Sequence, residues 1–145
     1  MEVEQVAPPA AEKTRFEDTT DIGGTVVVNV VPAKKFAKQQ MFSVVYTSPA
    51  GEELTGNFIV KRMALGEQSQ VGVTKAMLAR SLQVDSGTDT LLHMFSYLQH
   101  ALLDKPEWFK PAEMFDEDLI LAVYRRCLAF EASFRKSVSK QGAGD

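Results

Sequence analysis

The chain has 145 residues, a length typical of one domain, and its 45% hydrophobic and 24% charged residues suit a packed globular protein rather than a wholly disordered one. A net charge of −3 is too small, and of the wrong sign, for a general nucleic-acid binder, which carries a basic stripe. The single cysteine, Cys127, excludes an intramolecular disulfide and a Cys-x-x-Cys metal knuckle, and it fits a reducing compartment.

Residues 1–24 hold six acids (Glu2, Glu4, Glu12, Glu17, Asp18, Asp21) against Lys13 and Arg15, with Pro8 and Pro9 among them. Such a segment has little apolar surface to offset its ordering entropy, so residues 1–24 are expected to be a disordered acidic tail. Deleting residues 1–20 is then expected to leave the melting temperature nearly unchanged. The first residues lack the basic and apolar regions of a signal peptide. The longest apolar run, near residues 25–31, is far short of the ~20 residues that span a bilayer, so a cytoplasmic protein without membrane contact is expected.

A single α+β domain is expected over residues 25–136. Residues 25–31, Thr-Val-Val-Val-Asn-Val-Val, lie between Gly24 and Pro32 and read as a β-branched strand. In 41–47, Phe42, Val44 and Tyr46 share one face; in 54–62, Phe58 and Val60 alternate with Asn57, Ile59 and Lys61. Between them Ser48-Pro49-Ala50-Gly51-Glu52-Glu53 supplies a preset φ at Pro49 and a permissive Gly51, so the two segments form an antiparallel hairpin. If the Val-rich strand joins them the sheet has three strands, within an expected range of two to four.

Beyond Gly66 the period changes from two to about 3.6. Val71, Lys75, Leu78 and Leu82 mark a first helix. A second is expected from Ser86-Gly87-Thr88-Asp89, a capping-box spacing, with Leu91, Leu92, Phe95, Leu98 and Leu102 as its stripe and Lys105-Pro106 as its end. A third follows Asp116 as N-cap, with Ile120, Val123, Cys127, Phe130 and Phe134 at spacings of 3 and 4. The expected fold is a small antiparallel sheet packed with a C-terminal three-helix bundle, followed by a flexible tail over residues 137–145.

The chain offers little chemistry. His93 and His100 stand two helical turns apart, about 10 Å, and cannot share one metal ion. Cys127 occupies an apolar-stripe position, which suits a buried, inert thiol. Glu113, Asp116, Glu117 and Asp118 suit a helix N-terminus, and their spacing is not that of an EF-hand loop. Lys34, Lys35 and Lys38 form the densest basic cluster, short of a nucleic-acid patch. No catalytic residue, metal site or cofactor is expected.

Surfaces carry the stronger signals. Trp108 and Phe109 lie in a loop fenced by Pro106 and Pro111, where they either plug the core or anchor a partner. The third helix is apolar on more than one face, with Tyr124 and Leu128 outside its main stripe, so it is either central to the bundle or shared with another chain. Trp108, Phe109, Tyr124 and Leu128 are the candidate protein interface.

The stretch from Phe42 to Phe134 resembles small proteins encoded among tail genes of tailed bacteriophages. The similarity rests on Phe42-x-Val-x-Tyr46, Gly51, Gly56-x-Phe58, Val60-Lys61-Arg62, Val71-Gly72-x-x-Lys75, Pro106-x-Trp108-Phe109 and Glu131-x-x-Phe134. The resemblance implies a tail assembly chaperone that binds the tape-measure or tail-tube protein in the host cytoplasm, often as a homo-oligomer. A minor virion protein (connector, capsid-associated or tail-completion component) is the alternative from the same group.

Overall fold

The computed structural model describes residues 14–34, 36–80 and 85–143, with side chains described as far as residue 133. Five antiparallel strands form one sheet in chain order: β1 (Arg15–Thr19), β2 (Thr25–Val30), β3 (Gln39–Thr47), β4 (Glu53–Lys61) and β5 (Leu102–Asp104). Three α-helices, α1 (Leu65–Ala79), α2 (Ser86–Ala101) and α3 (Glu117–Ala143), complete an α+β fold, with a 3-10 turn at Pro111–Glu113.

The period-two pattern explains the centre of the sheet. Phe42 pairs with Phe58, Val44 with Gly56 and Tyr46 with Leu54 across β3 and β4, while Val28 and Val26 pair with Val44 and Tyr46 across β2 and β3. The hairpin turn closes through Gly51 N–H to Ser48 O at 2.9 Å and Ser48 N–H to Glu52 O at 2.7 Å, with Gly51 at φ +93°. That φ favours glycine, as the sequence implied.

The inward-pointing set, Val26, Val28, Phe42, Val44, Tyr46, Phe58 and Val60, meets Val71 of α1, Leu98 and Ala101 of α2, and Leu119, Ile120, Val123, Cys127 and Phe130 of α3 in one buried cluster. Phe42 and Phe58 stack at 5.2 Å and 4° in its middle. Each buried ring of this kind stabilises the fold by about 1.5–3 kcal/mol through lost apolar hydration. On the other face of the sheet, Val27, Val45 and Ile59 remain half-exposed.

Several expectations are corrected. The acidic tail does not reach residue 24: Arg15 to Thr19 pair in register with Asn29 to Thr25. Charge and low hydropathy hide this strand, because its neighbour β2 provides the ladder. Residues 1–13 of the expected tail lie outside the described residues, as do Lys35 and Leu82. The second helix is capped by Asp85, whose Oδ1 accepts from Thr88 N–H at 2.7 Å, one residue before the expected capping box. It ends at Ala101, because Leu102 and Asp104 take up pairing with Val60 and Ile59, at a bulge, in place of another helical turn. The backbone of α3 is helical to Ala143, so most of the expected tail 137–145 continues the helix.

Candidate protein-binding surfaces

The predicted interface divides between core and surface. Phe109 is 1% exposed and meets Phe58 edge to face at 5.1 Å, so it is a core residue and leaves the interface set. Trp108 is half-buried beside it, and its Nε1–H donates to Thr55 O at 2.8 Å. Gly56 makes this possible: a Cβ there would lie 2.5 Å from Pro106 Cβ and 3.3 Å from Trp108 Nε1. The Pro-bounded loop is thus a lid over the end of β4, the plug that the sequence offered as one of two readings.

On α3, Tyr124 is half-buried, with Tyr97 edge-on at 5.2 Å and His93 at 6.3 Å. Tyr97 donates its hydroxyl to Glu131 Oε1 at 2.8 Å. Desolvation, then the neighbouring Glu131, pushes the Tyr97 phenol well above its ordinary range, and the same two causes raise Tyr124. Cys127 is fully buried, and burial pushes its thiol up to about 12, so it is a poor nucleophile at neutral pH. Leu128 alone of the predicted set stands at 37% exposure.

The acidic cluster at the start of α3 is structural. Asp116 is buried; its Oδ2 accepts from Tyr46 Oη–H at 2.5 Å and its Oδ1 from Asp118 N–H at 3.2 Å. Desolvation first, and Asp116 second, pushes the Tyr46 phenol up to about 12. Asp118 Oδ2 in turn accepts from Asp21 N–H at 2.7 Å, which ties the β1–β2 turn to the helix start. His100 shares a hydrogen bond of 2.7 Å with Thr74 Oγ1. Among the described residues no group of three or more His, Cys, Asp and Glu side chains is placed to hold a metal ion.

Two apolar surfaces escape periodicity reasoning. Phe115, between the 3-10 turn and α3, is 95% exposed. On α1 only Val71 is buried, whereas Leu65 (82%), Met77 (70%), Val73 and Leu78 face solvent. Leu65, Val73 and Met77 follow at i, i+8 and i+12, which spreads them over roughly 120° of the helix surface, on the side away from Val71. The other exposed residues of α1 are Gly66, Ser69, Gln70, Gly72 and Ala76, so its outward surface bears no charge. Its two charged side chains are engaged elsewhere, Glu67 with Lys61 and Lys75 with Asp89 at 3.0 Å. The signal was present in the sequence: Leu65 to Ala79 holds only those two charged residues, and a solvated helix normally carries more.

A third feature is a cleft of about 400 Å³ between the β1–β2 edge of the sheet and α3. Val26, Val28, Leu121 and Ala122 give it an apolar floor, with Asp18, Asp21 and Asp118 toward one end. Arg125 and Arg126 line it farther along α3, where the Arg126 guanidinium lies 5.8 Å from the Phe16 ring centre. No described helix is long and apolar enough to cross a membrane. Comparison with known proteins gives no match: no family model fits the chain, and no curated protein or solved structure is similar to it.

Proposed function

We propose that this protein works by binding an apolar segment of another protein chain, with the outward face of α1 as its docking surface, and that it performs no reaction. The observation that carries the reading is the uncharged, partly apolar solvent face of α1, with Leu65, Val73 and Met77 exposed on the side away from Val71. An apolar face of this kind suits a partner helix laid along it, and the flexible Met77 side chain adapts to varied partners. The process served is the one implied by the resemblance in sequence, phage tail morphogenesis, with the tape-measure protein as the chain being held soluble. That second half rests on the resemblance alone; α1 supports only the binding of a protein.

The test is co-expression with the tape-measure protein of the same tail-gene cluster, followed by purification of the complex. Val73→Asp with Met77→Asp puts two charges on the surface without touching the core, so stability should stay within roughly 0.5 kcal/mol per site. The wild type should retain the tape-measure protein and the double variant should lose it. A folded double variant that binds as well as the wild type would remove α1 from the reading. A wild type that retains nothing would remove the tape-measure assignment. Mass spectrometry of finished particles then separates a chaperone, which is absent from them, from a virion component, which is present at fixed stoichiometry.

A further inference from the structure

Of the fifteen residues in α1 only Val71 is buried, against five of the sixteen in α2. Among the described residues α2 is the one element on which α1 packs extensively. Polar side chains supply further ties. Thr74 Oγ1 meets His100 Nε2 at 2.7 Å and Lys75 Nζ meets Asp89 at 3.0 Å. Glu67 pairs with Lys61 and accepts from Ala64 N–H at 3.2 Å. The side chains of both ion pairs are 29% to 52% exposed, and pairs so placed contribute little.

The composition of α1 also weakens it. Gly72 stands among Val71, Val73 and Thr74, so the central turn combines glycine with three β-branched residues, all of them weak helix formers. A Cβ at Gly66 or Gly72 would meet nothing within 4 Å, so packing requires neither glycine. The helix closes on Arg80 at φ +52°, a left-handed conformation that disfavours a residue with a side chain. An isolated helix of this length is marginal in water even with good helix formers, so α1 unfolds when it leaves α2.

We propose that α1 is a detachable flap, which opens and unfolds as a unit while the sheet, α2 and α3 stay folded, and so uncovers the side of α2 on which it lies. The core survives the opening because Val71 is the sole buried residue that α1 gives to it; the stacked Phe42 and Phe58 and the buried residues of α3 stay in place. This opening depends on how the inner side of α1 is anchored and not on its outward face, so it stands apart from the docking function proposed above.

Native-state amide hydrogen exchange of the full chain in low urea, followed by NMR, reads the opening directly. Relative to unfolded-chain rates, the amides of Ser69 to Ala79 should exchange at least tenfold faster than those of Phe42 to Tyr46 and Val123 to Cys127. Their rates should also climb less steeply with urea, since a smaller surface is exposed. Val28→Ala removes core packing on β2, outside the α1–α2 contact. It should speed exchange in the sheet and α3 about tenfold and leave α1 unchanged, because the closed and open forms lose the same contact. Gly72→Ala should slow the α1 amides about fivefold, the penalty of a mid-helix glycine. Equal rates and a common urea slope for α1 and the sheet would show one cooperative unit and overturn the flap. So would α1 amides that speed up as much as the sheet in Val28→Ala, or that are not slowed in Gly72→Ala. Should Val28→Ala fail to fold, the urea slopes of the wild type decide.

Discussion

At the scale of single residues, the polar groups inside this protein are arranged for packing. Tyr46 and Asp116 join the sheet to the start of α3, and Gly24 leaves room for them, since a Cβ there would lie 2.8 Å from the Tyr46 hydroxyl. All three tyrosines are held above their usual range, and Cys127 is raised with them. Each of these groups is neutral when protonated, so the folded chain keeps protons that the unfolded chain releases as pH climbs past the ordinary phenol value near 10. The stability they contribute is therefore complete below the ordinary values, 9.0 for the thiol and 10.0 for a phenol, and is lost as pH rises toward the folded-state values, about 12 for Tyr46 and for Cys127. Thermal melts from neutral to alkaline pH should show a constant Tm up to about pH 9 and a steep fall above 10. Tyrosinate absorbance of the native protein should rise only beyond the normal midpoint. A tyrosine that titrates normally in the folded chain would show that one of the three sites is wet.

At the scale of elements, local pattern and tertiary pairing divide the work, and they divide what could be read. The β2, β3 and β4 strands were legible because alternation and the Pro49/Gly51 turn are local signals, and the stripe of α3 was legible for the same reason. β1 and β5 were not: Arg-Phe-Glu-Asp-Thr and Leu-Leu-Asp become strands only because β2 and β4 offer ladders to them. Among the candidate interface residues, Phe109 was misplaced because a Pro-bounded aromatic loop has the same sequence whether it is a lid or an anchor; Gly56, 53 positions before Phe109, decides the matter by accepting the lid. The solvent face of α1 was missed because the spacing of Val71, Lys75, Leu78 and Leu82 marks a helix without saying which side is covered, and of the described three only Val71 is buried. The start of α2 offers a clean test of the cap. Asp85→Ala removes the acceptor for Thr88 N–H and should lower Tm by a few degrees, whereas Ser86→Ala should change it little. The Thr88 N–H bond also holds the Asp85 carboxyl below its ordinary range, so the cap's contribution should fade as acid titrates it. The reverse order of the two substitutions in a thermal melt would restore Ser86 as the cap.

At the scale of the whole molecule, the helices pack on one face of the sheet and the residues before β2 decide how that layer ends. Thr20 is buried, its Oγ1 accepts from Gly24 N–H at 2.8 Å, and Asp21 N–H reaches across to Asp118. Removal of residues 1–20 would therefore take away the five pairs of β1, bare the edge of β2 and loosen the turn that docks on α3. Val26 and Val28, now 2% and 5% exposed, would lose a covering neighbour. Several hydrogen bonds at about 0.5–1.5 kcal/mol each, together with the uncovered apolar area, amount to a few kcal/mol, enough to lower Tm by roughly 10 °C. A second truncation that removes only residues 1–13 isolates the contribution of β1, because the two variants differ by Thr14 to Thr20. Differential scanning calorimetry of both should place the larger loss between them. Equal melting temperatures for the two truncations would return residues 14–20 to the status of a tail.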